Sequence, residues 1–583
     1  MAFFKKTLTF DFKSITGVFY HGFKLDFSVI GYILIIPLVT LFVTSFFNGR
    51  FGYKFIRIYT YIILVLFPIF IITDIALYKF WGFRLDNTPV LYIKNPDEMV
   101  ASVSTGFIFL GLFLSVVFSY LLIRVFNSSV LPVMKIITKG SFSERLVILF
   151  LVPALIIPIR GGFNTSPVNL SSAYFHTDNY LNHAAINLFW NLGYSFTNKE
   201  TKNNPYEFFA KDTAGILLES LIENGPSDKK IITYNRPNVI LIILESFTAK
   251  VIEPLGGIPG ITPGFNKMSS SGILFENFYA NGDRSDKGIV ALFSGFPALG
   301  NTSVMKFPDK AGRLPAFPRD LKDAGYHLSF YYGGDIEFFN LKSYLISIGF
   351  QDIISDKDFK GEKNLSKWGA PDEFVFDKLY TDLLTKKDTP FFKTLFTLSN
   401  HDPFDIPVKP KFGKDSDDNK FFSGAYYTDS CLYDFIQRFS KSEFWNNTLV
   451  VVVADHGSRM PGNTAAEHAG NYSVPMLWTG GVVEKDTIVS KISMQTDLAA
   501  TLLYQLNLDG GNYKFSNNIF NSEYKGYACY SYNEGFGFVT DTFKYIYNGN
   551  SGSLNFTEGN YNEQLVLKGK ALLQTAYDDF LKY

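Results

Sequence analysis

The chain has 583 residues, 47% of them hydrophobic and 17% aromatic, and its 54 Lys and Arg are matched by 54 Asp and Glu. That length allows several domains, the composition is too apolar for an ordinary soluble protein, and the missing basic excess argues against a nucleic-acid partner. Two cysteines, Cys431 and Cys529, cannot make a disulfide framework; they are one bridge or two buried thiols.

Apolar residues concentrate at the front of the chain. Runs at about 27–47, 57–77, 104–124 and 145–160 predict four transmembrane helices, since a span needs about 20 residues at 1.5 Å each. Asp74 interrupts the second run. The first loop carries Arg50, Lys54 and Arg57, and the third carries Lys135, Lys139 and Arg145 beside Arg124. The second loop, 78–103, mixes Lys79, Arg84 and Lys94 with Asp86, Asp97 and Glu98. Positive charge marks cytoplasmic loops, so everything after about residue 160 is expected outside the cytoplasmic membrane, in a periplasm or at the cell exterior. The N-terminus then also falls outside, although it carries Lys5, Lys6, Lys13 and Lys24. Either residues 1–20 dip into the membrane or a first helix is missing. No apolar stretch of signal-peptide type follows those lysines.

Residues 161–235 read as a helical linker, with a charged amphipathic helix near 205–223. From 236 onward strands alternate with helical stretches, the pattern of a mostly parallel sheet with helices on both faces. "NVILIILES" and "TLVVVVADHG" are apolar runs without polar alternation, as expected of strands buried on both faces. Ligands of such sheets bind beyond the carboxyl ends of the strands. Val239–Leu244 runs into Glu245-Ser246, His327–Tyr332 into Gly333-Gly334-Asp335, Phe392–Leu398 into Ser399-Asn400-His401-Asp402, and Leu449–Val453 into Asp455-His456. Carboxylates and imidazoles at those four ends make Glu245, Asp455 and His456 candidate metal ligands, and Asp335 and His401 candidate cleft residues.

A nucleophile is expected nearby. In "GDRSDKGIVALFSGF" Ser285 falls at the start of a helical stretch, where free N–H groups and the helix dipole favour an anion. Arg284 and Lys287 flank it and can hold phosphate oxygens. "EHAGNYSVP" adds His468. His21, His176, His183 and His327 are expected to be structural.

Taken in order, Glu245 at a strand end, the hydroxyl of "GDRSDKG", "LSNHDPF", "ADHG" and "EH…VP" resemble the lipoteichoic acid synthase and phosphoglycerol transferase family of the sulfatase and alkaline phosphatase superfamily. The resemblance covers about residues 20–583. It implies an N-terminal transmembrane helical bundle (1–160), a linker (161–235) and an extracytoplasmic α/β sulfatase-like domain (236–583). It further implies one divalent cation, Mn²⁺, Mg²⁺ or Zn²⁺, on Glu245, Ser285, Asp455 and His456, with Ser285 as nucleophile and His401 and His468 facing substrate. The family has five spans, which favours the reading that a first helix is missing. Membrane phospholipid is the implied donor, giving up a head group of phosphoglycerol or phosphoethanolamine type, and an envelope glycan or lipid the acceptor; His468 matches a histidine of the phosphoethanolamine-transferase branch, and the number of subunits is not legible. A metal-bound hydroxyl loses its proton at neutral pH and can attack a phosphodiester, giving a covalent Ser285 intermediate that an acceptor hydroxyl displaces. One departure concerns substrate: lipoteichoic acid synthases carry Phe-Trp-Asn-Arg where this chain has Phe338-Phe339-Asn340-Leu341. Asp335 and Asn340 are still expected to face the cleft, but a polymerising synthase is disfavoured against a single-group transferase. The alternatives are a phosphodiesterase or phosphatase, a sulfuric ester hydrolase, and a non-enzymatic envelope scaffold. Against the sulfatase, Ser285 is followed by Asp286-Lys287-Gly288-Ile289, without the Pro and Arg that formylglycine formation needs.

Overall fold

A computed structural model describes residues 7, 9–47, 50–81, 84–85, 105–134, 140–163, 165–197, 203–362, 365–385, 390–483 and 487–583. The chain divides into two compact units, Met1–Glu200 and Thr201–Tyr583.

In the first unit four stretches are helical, long and apolar enough to cross a membrane. They are α1 (Phe12–Thr44), α2 (Arg50–Trp81), α3 (Thr105–Ser129), and α4 (Phe142–Ala154) continued by α5 (Ile156–Arg160). Their outer faces expose large apolar side chains, such as Phe109, Phe113 and Val116 on α3, as a lipid-facing surface requires. Helix α1 begins well before its apolar run. Asp11 caps it by accepting the Ser14 N–H, so Lys13 and Lys24 ride on the helix itself. Gly31 lets α1 and α5 touch: a Cβ there would stand 2.7 Å from Ile159 Cγ1. Asp74 is buried and answered by Arg84 at 3.2 Å and by the Leu85 N–H at 2.7 Å, the pairing a buried carboxylate needs. Ser45 O accepts from Arg145 Nη2 and from Gly140 N, each at 3.0 Å, tying the segment after α1 to the one before α4. Lys5, Lys6, Asp86, Lys94, Asp97, Glu98, Lys135 and Lys139 lie outside the described residues.

The stretch expected as one linker is shared between the units. Helices α6 (Asn179–Ala185) and α7 (Leu188–Thr197) fold with the first. In the second, α8 (Lys211–Glu219) packs on the C-terminal helix Glu563–Lys582, and Gln574 Oε1 accepts the N–H groups of Phe208 and Phe209.

The strands of the second unit are β1 (Asn238–Leu244), β2 (Ile273–Phe275), β3 (Phe278–Tyr279), β4 (His327–Tyr332), β5 (Asp352–Ile354), β6 (Phe391–Phe396), β7 (Thr448–Ala454), β8 (Met476–Thr479), β9 (Thr487–Val489), β10 (Ser493–Met494), β11 (Ala528–Tyr532), β12 (Gly535–Val539), β13 (Phe543–Asn548) and β14 (Ser553–Gly559). Eight of them form the main sheet in the order β5-β4-β6-β1-β7-β8-β2-β9. All neighbours are parallel except β8, which runs against β7 and β2. Every residue of β1 and β7 is buried, so both faces are covered, and this is why neither strand alternates polar with apolar residues. The covering helices fall into two groups: α9 (Ser285–Ser294) packs with Asp497–Gln505, while α10 (Asp372–Thr385) packs with α11 (Asp417–Phe439). Strands β11 to β14 make a separate antiparallel sheet, joined to the loop before α9 where Ser531 N donates to Asn281 O at 2.8 Å. Both cysteines are free thiols.

Candidate active site

Strands β1 and β7 are parallel neighbours with Leu244 opposite Ala454. The next residue of each, Glu245 and Asp455, therefore leaves the same edge of the sheet side by side. Both side chains are buried, at 2% and 0% exposure. The Glu245 N–H donates to Thr397 Oγ1 at 2.9 Å, and the Asp455 N–H to Leu244 O at 3.2 Å. Ser246 adopts φ +56, an uncommon conformation for a residue with a Cβ. In that turn its N–H reaches Asp455 Oδ1 at 2.9 Å and its Oγ donates to Glu245 Oε1 at 2.8 Å, so it holds both carboxylates in place.

His456 follows directly. Its Nδ1–H donates to Gly457 O at 2.7 Å, which leaves Nε2 as the ring's acceptor nitrogen. Nε2 lies 3.6 Å from Glu245 Oε1 and 3.5 Å from Asp455 Oδ2. Ser285 is the first residue of α9, and its Oγ donates to Glu245 Oε2 at 3.2 Å. The helix comes this close because position 288 is glycine: a Cβ there would meet Asp455 O at 1.7 Å.

Ligand atoms of Glu245, Asp455 and His456 lie within 4.8 Å of one another, and among the described residues no other such His/Cys/Asp/Glu cluster forms. Asp455 Oδ2 is buried without a hydrogen-bond partner. Two buried carboxylates this close repel. Burial and the Glu245 charge push the Asp455 carboxyl up. For Glu245 burial also pushes upward, but the hydrogen bond and charge of His456 outweigh it and hold this carboxyl low. Burial works against the His456 proton, yet the charges of Asp455 and Glu245 raise its basicity well above that of a free imidazole. Two oxygen-donor carboxylates, one imidazole Nε2, an adjacent hydroxyl and an orphaned oxygen fit a divalent cation.

The residues expected to bind substrate divide. Asp335 and His401 line one open cleft with Glu245 and Ser285. Arg284 is exposed at the N-cap of α9. Lys287 is buried and spans Asp283 Oδ1 at 2.9 Å and Gly300 O at 2.5 Å; it braces the loop and is not part of the cleft wall. His468 is exposed, with Nδ1 accepting the Gly470 N–H, and Asn340 is buried with Nδ2 on Met305 O at 3.3 Å; neither lines the cleft. The histidines expected to be structural have ordinary partners: His327 pairs with Asp352 at 3.0 Å, His183 with Tyr78 at 3.0 Å, His176 with the Asp178 N–H at 2.9 Å, and His21 stacks on Phe175.

Further residues support the site without having been singled out as candidates. Trp368 lies tilted beside His401 with ring centroids 4.5 Å apart and donates Nε1–H to Asp402 O at 2.7 Å. Gln495 Nε2 holds Ala454 O at 2.8 Å and Asp455 O at 2.6 Å. Asn400 Nδ2 reaches Glu245 O at 3.2 Å. Asp372 accepts the N–H groups of Leu398 and Ser399 and so fixes the turn that carries Asn400 and His401.

Residues 237–508 match the sulfatase family model. The chain is 22% identical to the lipoteichoic acid synthase-like YvgJ of Bacillus subtilis over 80% of its own length and 79% of that protein's. It is 26% identical to lipoteichoic acid synthase 2 of the same organism, over 49% of this chain and 48% of that one, so it spans about half the length of that relative. Among solved structures, a protein in the alkaline phosphatase superfamily from Vibrio parahaemolyticus superposes with a TM-score of 0.58 at 25% identity, covering 66% of this chain and 98% of that one. Residues 237–508 thus form a sulfatase-family domain on a mostly parallel sheet, with apolar helices ahead of it, and the chain is similar to lipoteichoic acid synthases and phosphoglycerol transferases and, in fold, to the alkaline phosphatase superfamily.

Proposed function

We propose that the second unit is a metal-dependent phosphotransferase. It moves a head group from a membrane phospholipid, through a covalent intermediate on Ser285, to a hydroxyl of an envelope glycan or lipid. The observation that carries this reading is the placing of a hydroxyl at a helix start, 3.2 Å from one of two buried carboxylates that a histidine joins. Glu245, Asp455, His456 and Ser285 Oγ would hold one divalent cation, which when bound supplies positive charge that favours the ionised hydroxyl and the charge gathering on phosphate oxygens. Mn²⁺, Mg²⁺ and Zn²⁺ all suit these donors.

The residues of the chain account for the remaining steps. Ser285 Oγ–H points its proton at Glu245 Oε2, and the N-terminus of α9 favours negative charge on the oxygen. Oγ attacks the phosphorus of the donor; an O–P bond forms to Ser285, the bond to diacylglycerol breaks, and the departing alkoxide takes a proton. His401, which lines the cleft, gives that proton and takes one from the incoming hydroxyl, whose attack on the same phosphorus frees Ser285. Arg284 is exposed at the cap of α9 and meets phosphate oxygens from the solvent side. Asp335 contacts the far end of the head group. Lys287 and Gln495 position: one braces the loop before α9, the other the end of β7.

The first unit anchors the chain in the cytoplasmic membrane. Ser45 O accepts from Gly140 N and Arg145 Nη2, and the starts of α2 and α4 beside it carry Arg50, Lys54, Arg57 and Arg145, which favours a cytoplasmic position for these ends and an external one for the catalytic unit. The test is diacylglycerol release from phospholipid vesicles by the full chain with and without divalent cation. Release that needs the cation and disappears in Ser285→Ala supports the reading; release that survives Ser285→Ala overturns it.

A further inference from the structure

Beyond Ser285 the cleft is built for a particular charge. Phe338 and Phe339 lie with ring centroids 3.8 Å apart, Trp368 stands 5.9 Å from Phe338, and His401 is 4.5 Å from Trp368, so four rings form a continuous arc along the wall. Two carboxylates share the lining: Asp335, which accepts the Glu337 N–H on Oδ1 at 3.0 Å, and Asp286, 4% exposed, whose Oδ1 is buried without a hydrogen-bond partner. Among the described residues that line the cleft there is no Lys or Arg. Lys357, the nearby ammonium, is held on Glu337 at 3.2 Å and is not part of the wall.

A neutral polyol such as glycerol needs hydrogen-bond donors and acceptors spread around it. Away from the cation ligands, a wall of ring faces with two carboxylates and no cationic side chain offers few donors and a negative potential. Alkylammonium groups have the opposite requirement: ring quadrupoles and carboxylates attract the positive charge, and a quaternary ammonium, with no N–H to hydrate, also sheds its water readily. The geometry points to a cationic head group: the cleft selects donors whose phosphodiester carries an ethanolamine-like or choline-like ammonium, with Trp368 and Phe338 as the specificity-determining faces and Asp335 and Asp286 as the balancing charge. This rests on the phosphotransferase reading and names its substrate class. Ser285 and the four rings line the same cleft, so a head group carried on Ser285 shares its wall with the arc.

The test uses the full chain in detergent with Mn²⁺ and three head-group-labelled lipids: phosphatidylethanolamine, phosphatidylcholine and phosphatidylglycerol. After acid quench, label bound to Ser285 is measured, and thermal melting is followed in parallel. Labelling from the ethanolamine or choline lipid is expected to exceed that from the glycerol lipid by roughly tenfold or more, and the stronger of the two distinguishes a primary from a quaternary ammonium. Trp368→Ala is expected to collapse the preference to near unity, and Trp368→Phe, with the same melting temperature, to keep most of it. Labelling from the glycerol lipid that equals or exceeds the others overturns the inference and leaves the transferase intact. An unchanged preference in Trp368→Ala also overturns it, and no label from any lipid overturns both.

Discussion

Replacing Gly288 by alanine tests how the nucleophile is held. The new Cβ would stand 1.7 Å from Asp455 O, a backbone atom at the end of a buried strand, where real Cβ atoms keep at least 3.0 Å. Interiors this closely packed do not absorb the difference in one side chain, so α9 must retreat by roughly 1.3 Å. Ser285 begins the same helix and moves with it, opening its 3.2 Å contact with Glu245 to roughly 4.5 Å if the motion is rigid. A displacement of about 1 Å at a reacting centre costs on the order of a hundredfold, so kcat/KM is expected to fall by about two orders of magnitude. Overpacking also removes about 1–3 kcal/mol of stability. The assay is initial-rate diacylglycerol release from labelled vesicles at saturating Mn²⁺, with circular-dichroism melting of the same samples. A Gly288→Ala protein with unchanged turnover and unchanged melting would show that α9 does not press on the end of β7, and would refute this account of how Ser285 is placed.

Gly215 lies inside α8 with nothing within 4 Å of a built Cβ; Gly215→Ala is expected to raise stability by about 0.5–1 kcal/mol through helix propensity alone, and a lower denaturation midpoint contradicts that. Thr397→Val keeps the shape of the side chain but strands the Glu245 N–H, which now donates to Thr397 Oγ1. Denaturant titration should show a loss of about 1–3 kcal/mol, and a neutral result means water replaces the hydroxyl. Without a cation, burial and the Glu245 charge push the Asp455 carboxyl up, and the charges of Asp455 and Glu245 outweigh burial in raising His456. A raised carboxyl is protonated where an ordinary one is not, and a raised imidazole keeps its proton longer, so both must release protons before they ligate. Divalent-cation affinity is therefore expected to rise with pH through the neutral range, with proton release on binding. Titration calorimetry in two buffers of different ionisation enthalpy reads both, and affinity that falls as pH rises contradicts the sign.

Much of the fold was legible because buried parallel strands leave a strong mark. Neither β1 nor β7 could be half-solvated with seven successive buried residues each, and the carboxylates that end them had to meet at one edge once the strands paired in parallel. Ser285 was legible as a helix start. What was not legible depends on contacts between distant segments. Trp368 reaches the cleft from the segment before α10 to stand against Phe338, although the local stretch Phe338-Phe339-Asn340-Leu341 had suggested a wall without tryptophan. Gln495 braces the end of β7 from the far side of β8 in sequence. Lys287 was read beside Ser285 because the two are neighbours in the chain, but a helix turns successive side chains about 100° apart, and this one faces the Asp283–Gly300 loop. The early start of α1 was hidden because Lys13, His21, Lys24 and Asp26 interrupt its apolar run, while Gly17, His21 and Gly22 pack on Phe175 and Ala185.

The central claim is that Ser285 carries the transferred group. Full-length protein with Mn²⁺ should be mixed with phosphorus-labelled phospholipid vesicles, quenched in acid within a turnover and mapped by peptide mass spectrometry. The account predicts a phosphodiester mass increment on the peptide holding Ser285, absent when Mn²⁺ is chelated. Turnover without a modified Ser285, or a modification on any other side chain, would contradict it.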